Sequence, residues 1–438
     1  MKRNIIVIVI ALSIVLNILP VVTIAEAEDP VTLKGIAVMS SITDDLETIE
    51  SYKKISEEAN VIIDWEYVRS GWDEKKPLIL ASGDLPDFFF GGGALTAKDI
   101  ISNIDYFLPL NDLIDQYCPN IQKMFSDMPD TKTLATFPDG NIYALGHVMP
   151  FRPSHFGAAF INKTWLDNLG LEVPTTTDEF IEVMRAFKTG DPNGNGLNDE
   201  IPMVGYVDDT NFGFRPFLGA FGASDSIDSW RAVGDDGTVE YVPVTEGYKE
   251  WVKWLHQLYS EGLLDNECLT MDWAQYLAKL QAEGDPIFGM TCGWRQDHIN
   301  AAYRDQYVQL LPLKGPNGDQ VWPSNYTMVS AGPSNYCMME LTYKNPDPEA
   351  TMRWADLFYE DENGLEFYIG PLGTSLEKND DGTYTILPPP EETMNLDDWI
   401  WKNTMGDGGP CYVSQATQDL VTPNDWITGK LELDKNYE

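Results

Sequence analysis

Three short runs decide the fold: VTLKGIAVM at residues 31–39, VIIDWEYV at 61–68 and DFFF at 87–90. Each is rich in β-branched or aromatic residues and too short for a buried helix, so each reads as a strand. Between them lie DDLETIESYKKISEEAN (44–60) and DEKKPLILASG (73–83), two helical stretches, the second ending on the C-cap residue Gly83. The third run passes straight into Gly91–Gly93. Strands that alternate with helices predict an α/β fold built on a doubly wound parallel sheet.

The same rhythm continues. LPLNDLIDQYCPNIQKMFSDM (108–128) is helical, and GNIYAL (140–145) reads as a short strand after the turn at 138–140. A second α/β series opens with AAFINKTWLDNLG (158–170), strand then helix, closed by Gly170. TTTDEFIEVMRAFKTG (175–190) carries threonine N-cap candidates ahead of acidic first-turn residues. TEGYKEWVKWLHQLYSEGLL (245–264) places Tyr248, Trp251, Trp254, Leu255 and Leu258 on one helical face, the pattern of a core helix. MDWAQYLAKLQAEG (271–284) is another helix, and PIFGMTCGW (286–294) is a buried strand that ends on Trp294.

The N-terminus, MKRNIIVIVIALSIVLNILPVVTIAEAEDP, has a basic start, an apolar run from Ile5 and a small-x-small site at Ala25–Ala27. This predicts a signal peptide over 1–27 and an exported chain, periplasmic or extracellular. The first cysteine is Cys118, so no lipobox cysteine follows the apolar run. The remaining residues, roughly 410, exceed one ordinary core and predict two domains. A net charge of −40 disfavours nucleic acid and anionic membrane surfaces as partners. The five cysteines leave at least one thiol unpaired and allow one or two disulfides. The four histidines lack HxxxH spacing, which argues against a zinc enzyme.

DPNGNGLNDEIP (191–202) is the most metal-like stretch. Asp191, Asn193 and Asn195 occupy loop positions 1, 3 and 5, Gly196 allows a sharp turn at 6, the Leu197 carbonyl serves 7, and Asp199 falls at 9. Such a set of oxygens suits calcium. Position 12 is Pro202 instead of glutamate, so this is no EF-hand proper, and a solvated Asn-Gly turn is the competing reading.

Seven stretches in order resemble the bacterial extracellular solute-binding proteins of ABC transporters, in the large-oligosaccharide branch that includes the alginate-binding proteins. They are WDEKKPLILASGDLPD (72–87), PLNDLIDQYCPNI (109–121), FPDGNIYAL (137–145), FINKTWLDNLGLEVPTTTDEF (160–180), DPNGNGLNDEIP (191–202), LYSEGLLDNE (258–267) and GLEFYIGPLGTSLEKNDDGTYTI (364–386). The resemblance implies two α/β lobes hinged around an interlobe ligand cleft, and a closed form that docks on permease subunits. It implies discontinuous lobes, 28–148 with 330–374 and 149–329 with 375–438, joined near 146–156, 326–338 and 371–386. It also implies that Glu200 completes the calcium shell; three carboxylates that repel one another without a cation predict a structural role, and the loop's place between peripheral elements puts it away from the cleft.

Sugar sites pair aromatic platforms with hydrogen-bonding rims. Trp294 and Arg295 lead the ligand candidates, with interior packing of Trp294 as the alternative. Arg152 and His155 fall at the first crossing. Ser41 and Asp44 follow the first strand with Thr43, where a helix N-cap would explain Thr43 and Asp44 equally well. Gly91 and Gly92 follow the third strand without the spacing of a phosphate loop. Trp322 and Asn325 precede the second crossing, and Trp65 and Trp72 read as structural. The function expected is a monomeric, non-enzymatic importer receptor for an oligosaccharide. Net charge favours a neutral sugar, while Arg152, Arg215 and Arg295 leave uronides open. The competing reading is an exported glycoside hydrolase or lyase, but no HExxH or nucleophile elbow is present. Peptide is a third ligand class.

Overall fold

The computed structural model describes residues 29–151, 158–207, 213–223, 230–233, 236–293, 296–321, 329–330, 337–391, 394–424 and 427. Residues 1–27, read as a signal peptide, lie outside that set.

The first sheet has the order Met339–Leu341, Phe88–Phe90, Val31–Val38, Val61–Val68. Val31–Val38 runs parallel to both of its neighbours, and Met339–Leu341 adds an antiparallel edge. The three phenylalanines show why this sheet is internal. Phe88 and Phe90 enter one core with Leu33, Ala37 and Trp354, while Phe89 enters another with Ile36, Trp72 and Ile100. All three are fully buried. A strand that must be apolar on both faces cannot alternate with polar residues, which is the pattern of a covered parallel sheet. Helices Glu50–Glu58 and Trp72–Ser82 supply the crossovers, and Gly83 ends the second with φ 70°.

The second sheet has the order Tyr307–Leu310, Ala158–Asn162, Phe288–Gly293, Ile201–Met203. Ala158–Asn162 is antiparallel to both neighbours, and only Ile201–Met203 with Phe288–Gly293 is parallel. The parallel expectation therefore holds for three strands of the first sheet and fails in the second. A doubly buried strand carries the same apolar run in either direction, so strand order is invisible to periodicity. GNIYAL is likewise no strand; its one ladder contact is the bridge of Leu145 to Met339.

Beyond the two cores on either face of the first sheet, the second sheet has a core of its own. That core of the second unit collects Phe160, Trp165, Phe187, Trp254, Tyr276 and Phe288, drawn from residues 158–313. It is closed by helix Thr177–Thr189, whose Thr176 and Glu179 form a reciprocal capping box, and by helix Glu246–Ser260. The first core draws on residues 33–151 and again on 339–427. Leu376, Tyr384, Ile386, Ile400, Tyr412 and Val413 all belong to it. The described residues of this stretch thus pack with the first core, where the sequence reading gave 375–438 to the second lobe with a crossing near 371–386. There the chain makes a hairpin, Leu376–Lys378 against Tyr384–Ile386, and turns back into the core it came from.

At the other two expected crossings, His147–Val148 pairs antiparallel with Val329–Ser330. All five cysteines are buried and none is joined in a disulfide, so the possible disulfides are not formed. Among the described residues, no helix is long and apolar enough to cross a membrane.

Candidate functional site

The register of the second sheet fixes where chemistry can gather. Ala158, which opens its strand, faces Gly293, which ends another. The carboxyl ends of Phe288–Gly293 and Ile201–Met203 therefore point towards the first crossing. In open α/β sheets, ligands bind at such carboxyl ends.

An aromatic group that the sequence reading missed stands at this end. Tyr206, just past Ile201–Met203, lies 5.8 Å from Trp273 and 6.0 Å from Tyr276, measured between ring centroids. Trp273 also meets the His298 imidazole edge-on at 5.7 Å. The helix Trp273–Leu280 is held by a capping box between Asp272 and Gln275, so Trp273 sits in its first turn at a fixed position. Tyr276 is fully buried, and its hydroxyl donates to the Cys292 carbonyl at 2.9 Å. Trp273, by contrast, is 36% exposed. The result is a partly exposed tryptophan on a rigid aromatic base, and aromatic side chains of this kind suit the C–H face of a sugar. The signal available in the sequence was MDW, an N-cap aspartate one residue ahead of a tryptophan, but its partners lie far away in the chain.

Six of the ten ligand candidates, Arg152, His155, Trp294, Arg295, Trp322 and Asn325, lie outside the described residues. The other four sit at the carboxyl edge of the first sheet. Ser41 is exposed in the turn after Val31–Val38. Thr43 is buried and donates to the Trp401 carbonyl at 2.8 Å, while the Asp44 N–H donates to the Lys402 carbonyl. Neither is a helix N-cap; Asp45 precedes the short 3-10 turn Leu46–Thr48.

Gly91 and Gly92 answer to packing. The Gly91 N–H donates to the Met338 carbonyl at 2.8 Å and the Gly92 N–H to the Gly408 carbonyl at 2.5 Å. A Cβ on Gly91, which has φ 109°, would stand 2.2 Å from the Val38 carbonyl oxygen. The backbone that comes close at Gly92 is the chain's own, in the turn at 406–409. Trp72 is buried and donates to the Ala94 carbonyl, and Trp65 packs on Phe88 at 5.4 Å, so both are structural as expected. Arg215 Cζ lies over the Trp230 ring, 3.7 Å from its centroid.

The polar loop lies at the opposite end of the second sheet, between helix Thr177–Thr189 and strand Ile201–Met203. Positive φ at Asp191, Gly194 and Gly196 curls it inward. The Gly196 N–H donates to the Asp191 carboxylate at 3.1 Å, the Asn195 N–H to Asn193 Oδ1 at 3.1 Å, and the Leu197 N–H to Asn195 Oδ1 at 2.7 Å. The Asn195 amide donates to Asp199 at 3.2 Å. Glu200 Oε1 is buried with no hydrogen-bond partner. Burial first, and then the charges of Asp199 and Asp191, push its carboxyl above the ordinary range. A lone buried carboxylate oxygen beside two like charges is what an oxygen-seeking cation would relieve, so the donor set fits calcium. Among the described residues, no three His, Cys, Asp or Glu side chains are drawn together as a closed metal cluster.

No family model matches the chain. It is 36% identical over 335 residues to the fructooligosaccharide ABC transporter substrate-binding protein FusA of Streptococcus pneumoniae, covering 75% of this chain and 60% of that one. The chain thus spans less than two thirds of that relative's length. The FusA structure with kestose superposes with a TM-score of 0.78 at 30% identity, covering 92% of this chain and 83% of that chain. FusA has also been solved as an EF-hand mutant with fructo-nystose, TM-score 0.79, 30% identity, 93% and 83% covered. A solute-binding protein of Bifidobacterium longum infantis that binds HMO matches with a TM-score of 0.81 at 26% identity, 93% and 83% covered. Alginate-binding protein AlgQ2 without calcium ion shares the fold, with a TM-score of 0.68 at 22% identity over 94% and 83%.

Proposed function

The chain belongs to the family of ABC-transporter solute-binding proteins, and on that premise we propose that it captures an oligosaccharide between its two α/β units and delivers it to the permease subunits of an importer. The observation that carries this reading is the partly exposed Trp273, braced by Tyr206 and His298 at the carboxyl end of the second sheet. The paired segments His147–Val148 and Val329–Ser330 serve as the crossing between the lobes. The chain works outside the cytoplasm as a monomer, and its function is binding without turnover.

A neutral sugar is favoured. The chain carries −40 charges, and Arg215, one of three arginines that could favour a uronide, lies over the Trp230 ring. Calorimetry with kestose, neutral milk-type oligosaccharides and galacturonate oligomers tests the reading, with chromatography of the recovered sugar. Saturable binding of a neutral member, recovered intact, is expected. Preferred binding of galacturonates would move the ligand class to uronides, and cleavage would replace the receptor by an enzyme.

Calcium is proposed for the loop, with Asp191, Asn193, Asn195, the Leu197 carbonyl, Asp199 and Glu200 as donors. Its role is to brace the second lobe. Support comes from the orphaned Glu200 oxygen and from the EF-hand of FusA.

A further inference from the structure

The crossing strand His147–Val148 has only two residues of ladder with Val329–Ser330. A ribbon that short is too weak and too easily twisted to set the angle between two lobes. A second partner runs along its other side. The Val148 N–H donates to the Cys411 carbonyl at 2.9 Å, and His147 Nδ1 lies 3.2 Å from the Gly409 carbonyl oxygen. Three residues further on, the Phe151 N–H donates to Gln418 Oε1 at 3.0 Å.

Phe151 is unusual. It has φ 54°, in the left-handed region that favours glycine, yet its side chain is buried and its ring lies 6.5 Å from Tyr368. Such a conformation persists only where its surroundings over-determine it. Gln418 is itself fixed, because its Nε2 donates to the Val413 carbonyl at 2.9 Å and its backbone N–H to Ser414. Ser414 caps the short helix Gln415–Gln418.

We infer that the segment 409–418 is a strap that clamps the crossing strand to the first core, with Gln418 as the positioning residue that holds Phe151 in its left-handed turn and so sets the opening angle of the lobes. The inference rests on the proposed closure of the two lobes around a sugar. The strap belongs to the part of the chain that returns to the first core, so it can brace the strand from the first-lobe side without touching the ligand. Loss of the Gln418 contact frees the Phe151 N–H and lets the turn relax towards ordinary backbone angles. The lobes then sample a wider range of angles.

Spin labels at Leu78→Cys and Val252→Cys, both exposed and one in each unit, read the interlobe distance. The native cysteines are buried and stay unlabelled. In the parent protein, kestose or another panel sugar that binds should shift the distance. Gln418→Leu should broaden the sugar-free distribution and speed hydrogen exchange at Phe151 by about tenfold, with the calorimetric unfolding transition retained. Gln418→Glu keeps the oxygen that accepts from Phe151 and loses the donor to Val413, so it should fall between the two. A Gln418→Leu distribution and exchange rate equal to the parent's overturn the strap alone. A parent distance that no bound sugar shifts overturns lobe closure, and the strap with it. Should Gln418→Leu fail to fold, Gln418→Glu decides by the same two readouts.

Discussion

Tyr206 and Trp273 stand with ring centroids 5.8 Å apart and planes inclined at 56°, which ties the end of one strand to the first turn of a distant helix. Neither ring is fully buried, although Tyr206 packs against the second unit's core. Trp273 keeps more than a third of its surface in solvent, and Tyr206 is half-buried.

Trp273→Ala should weaken sugar binding by about tenfold or more, since a stacked ring contributes roughly 0.5–1.5 kcal/mol beyond its buried area. Trp273→Phe should retain part of the affinity. Because the ring is so exposed, the melting temperature should move by only a few degrees. Calorimetry beside a melting curve checks both, and full affinity in the alanine variant removes Trp273 from the ligand site.

Calcium added to EDTA-treated protein should raise the melting temperature. Binding to the native state alone stabilises by about 2.7 kcal/mol at a hundredfold excess over Kd. Asp191→Ala and Glu200→Gln should each reduce the gain. Sugar affinity measured well below the melting temperature should hardly change, because the loop lies at the far end of the sheet from Tyr206. Identical melting curves with calcium and with EDTA would falsify the assignment.

Glu340 is fully buried on the first-sheet edge strand, and neither carboxylate oxygen has a hydrogen-bond partner. Burial, followed by the Asp99 charge, drives its carboxyl well above the ordinary range. The folded state therefore holds a proton that the unfolded chain gives up near pH 4.3. Stability from this group is complete below that pH and declines as pH rises towards the folded value. Glu340→Met should raise stability at pH 7–8 by about 1–3 kcal/mol, and by less at pH 4. Denaturant melts at the two pH values measure the difference; an equal gain at both would mean that the carboxyl does not titrate as argued.

Gly91→Ala should cost about 2–4 kcal/mol, because a Cβ must push against the Val38 carbonyl at a positive φ. Gly93, also at positive φ but with open space around the missing Cβ, should cost less when replaced by alanine. Urea titrations of the two variants give the comparison. If both lose the same stability, conformational strain alone explains the glycines and the clash does not.

Much of the architecture is legible in local patterns. Thr176 and Glu179 announced a helix start and are joined in a capping box, and Gly83 and Gly170 announced helix ends and adopt left-handed angles. Trp251 and Trp254 followed the helical period into the second core. Each of these rests on residues within one or two turns of each other, where backbone sterics and hydrogen bonding act directly. The loop at 191–200 was legible for the same reason, since its donors are neighbours in the chain.

What the sequence could not decide was pairing at long range. An apolar strand buried on both faces looks alike in parallel and antiparallel company, so the direction of Ala158–Asn162 became known only from its register with Phe288–Gly293 and Tyr307–Leu310. Leu376, Tyr384 and Tyr412 carry nothing that says which core they fill, and only their packing returned the C-terminal segment to the first unit. The Tyr206–Trp273 platform and the Gln418–Phe151 contact have the same origin. The sequence by itself determined the helices, the caps and the turn-rich polar loop at 191–200, because those are set by neighbours along the chain. The tertiary structure alone decided which strand ends converge and which distant side chains meet there, because apolar burial is non-directional and names no partner.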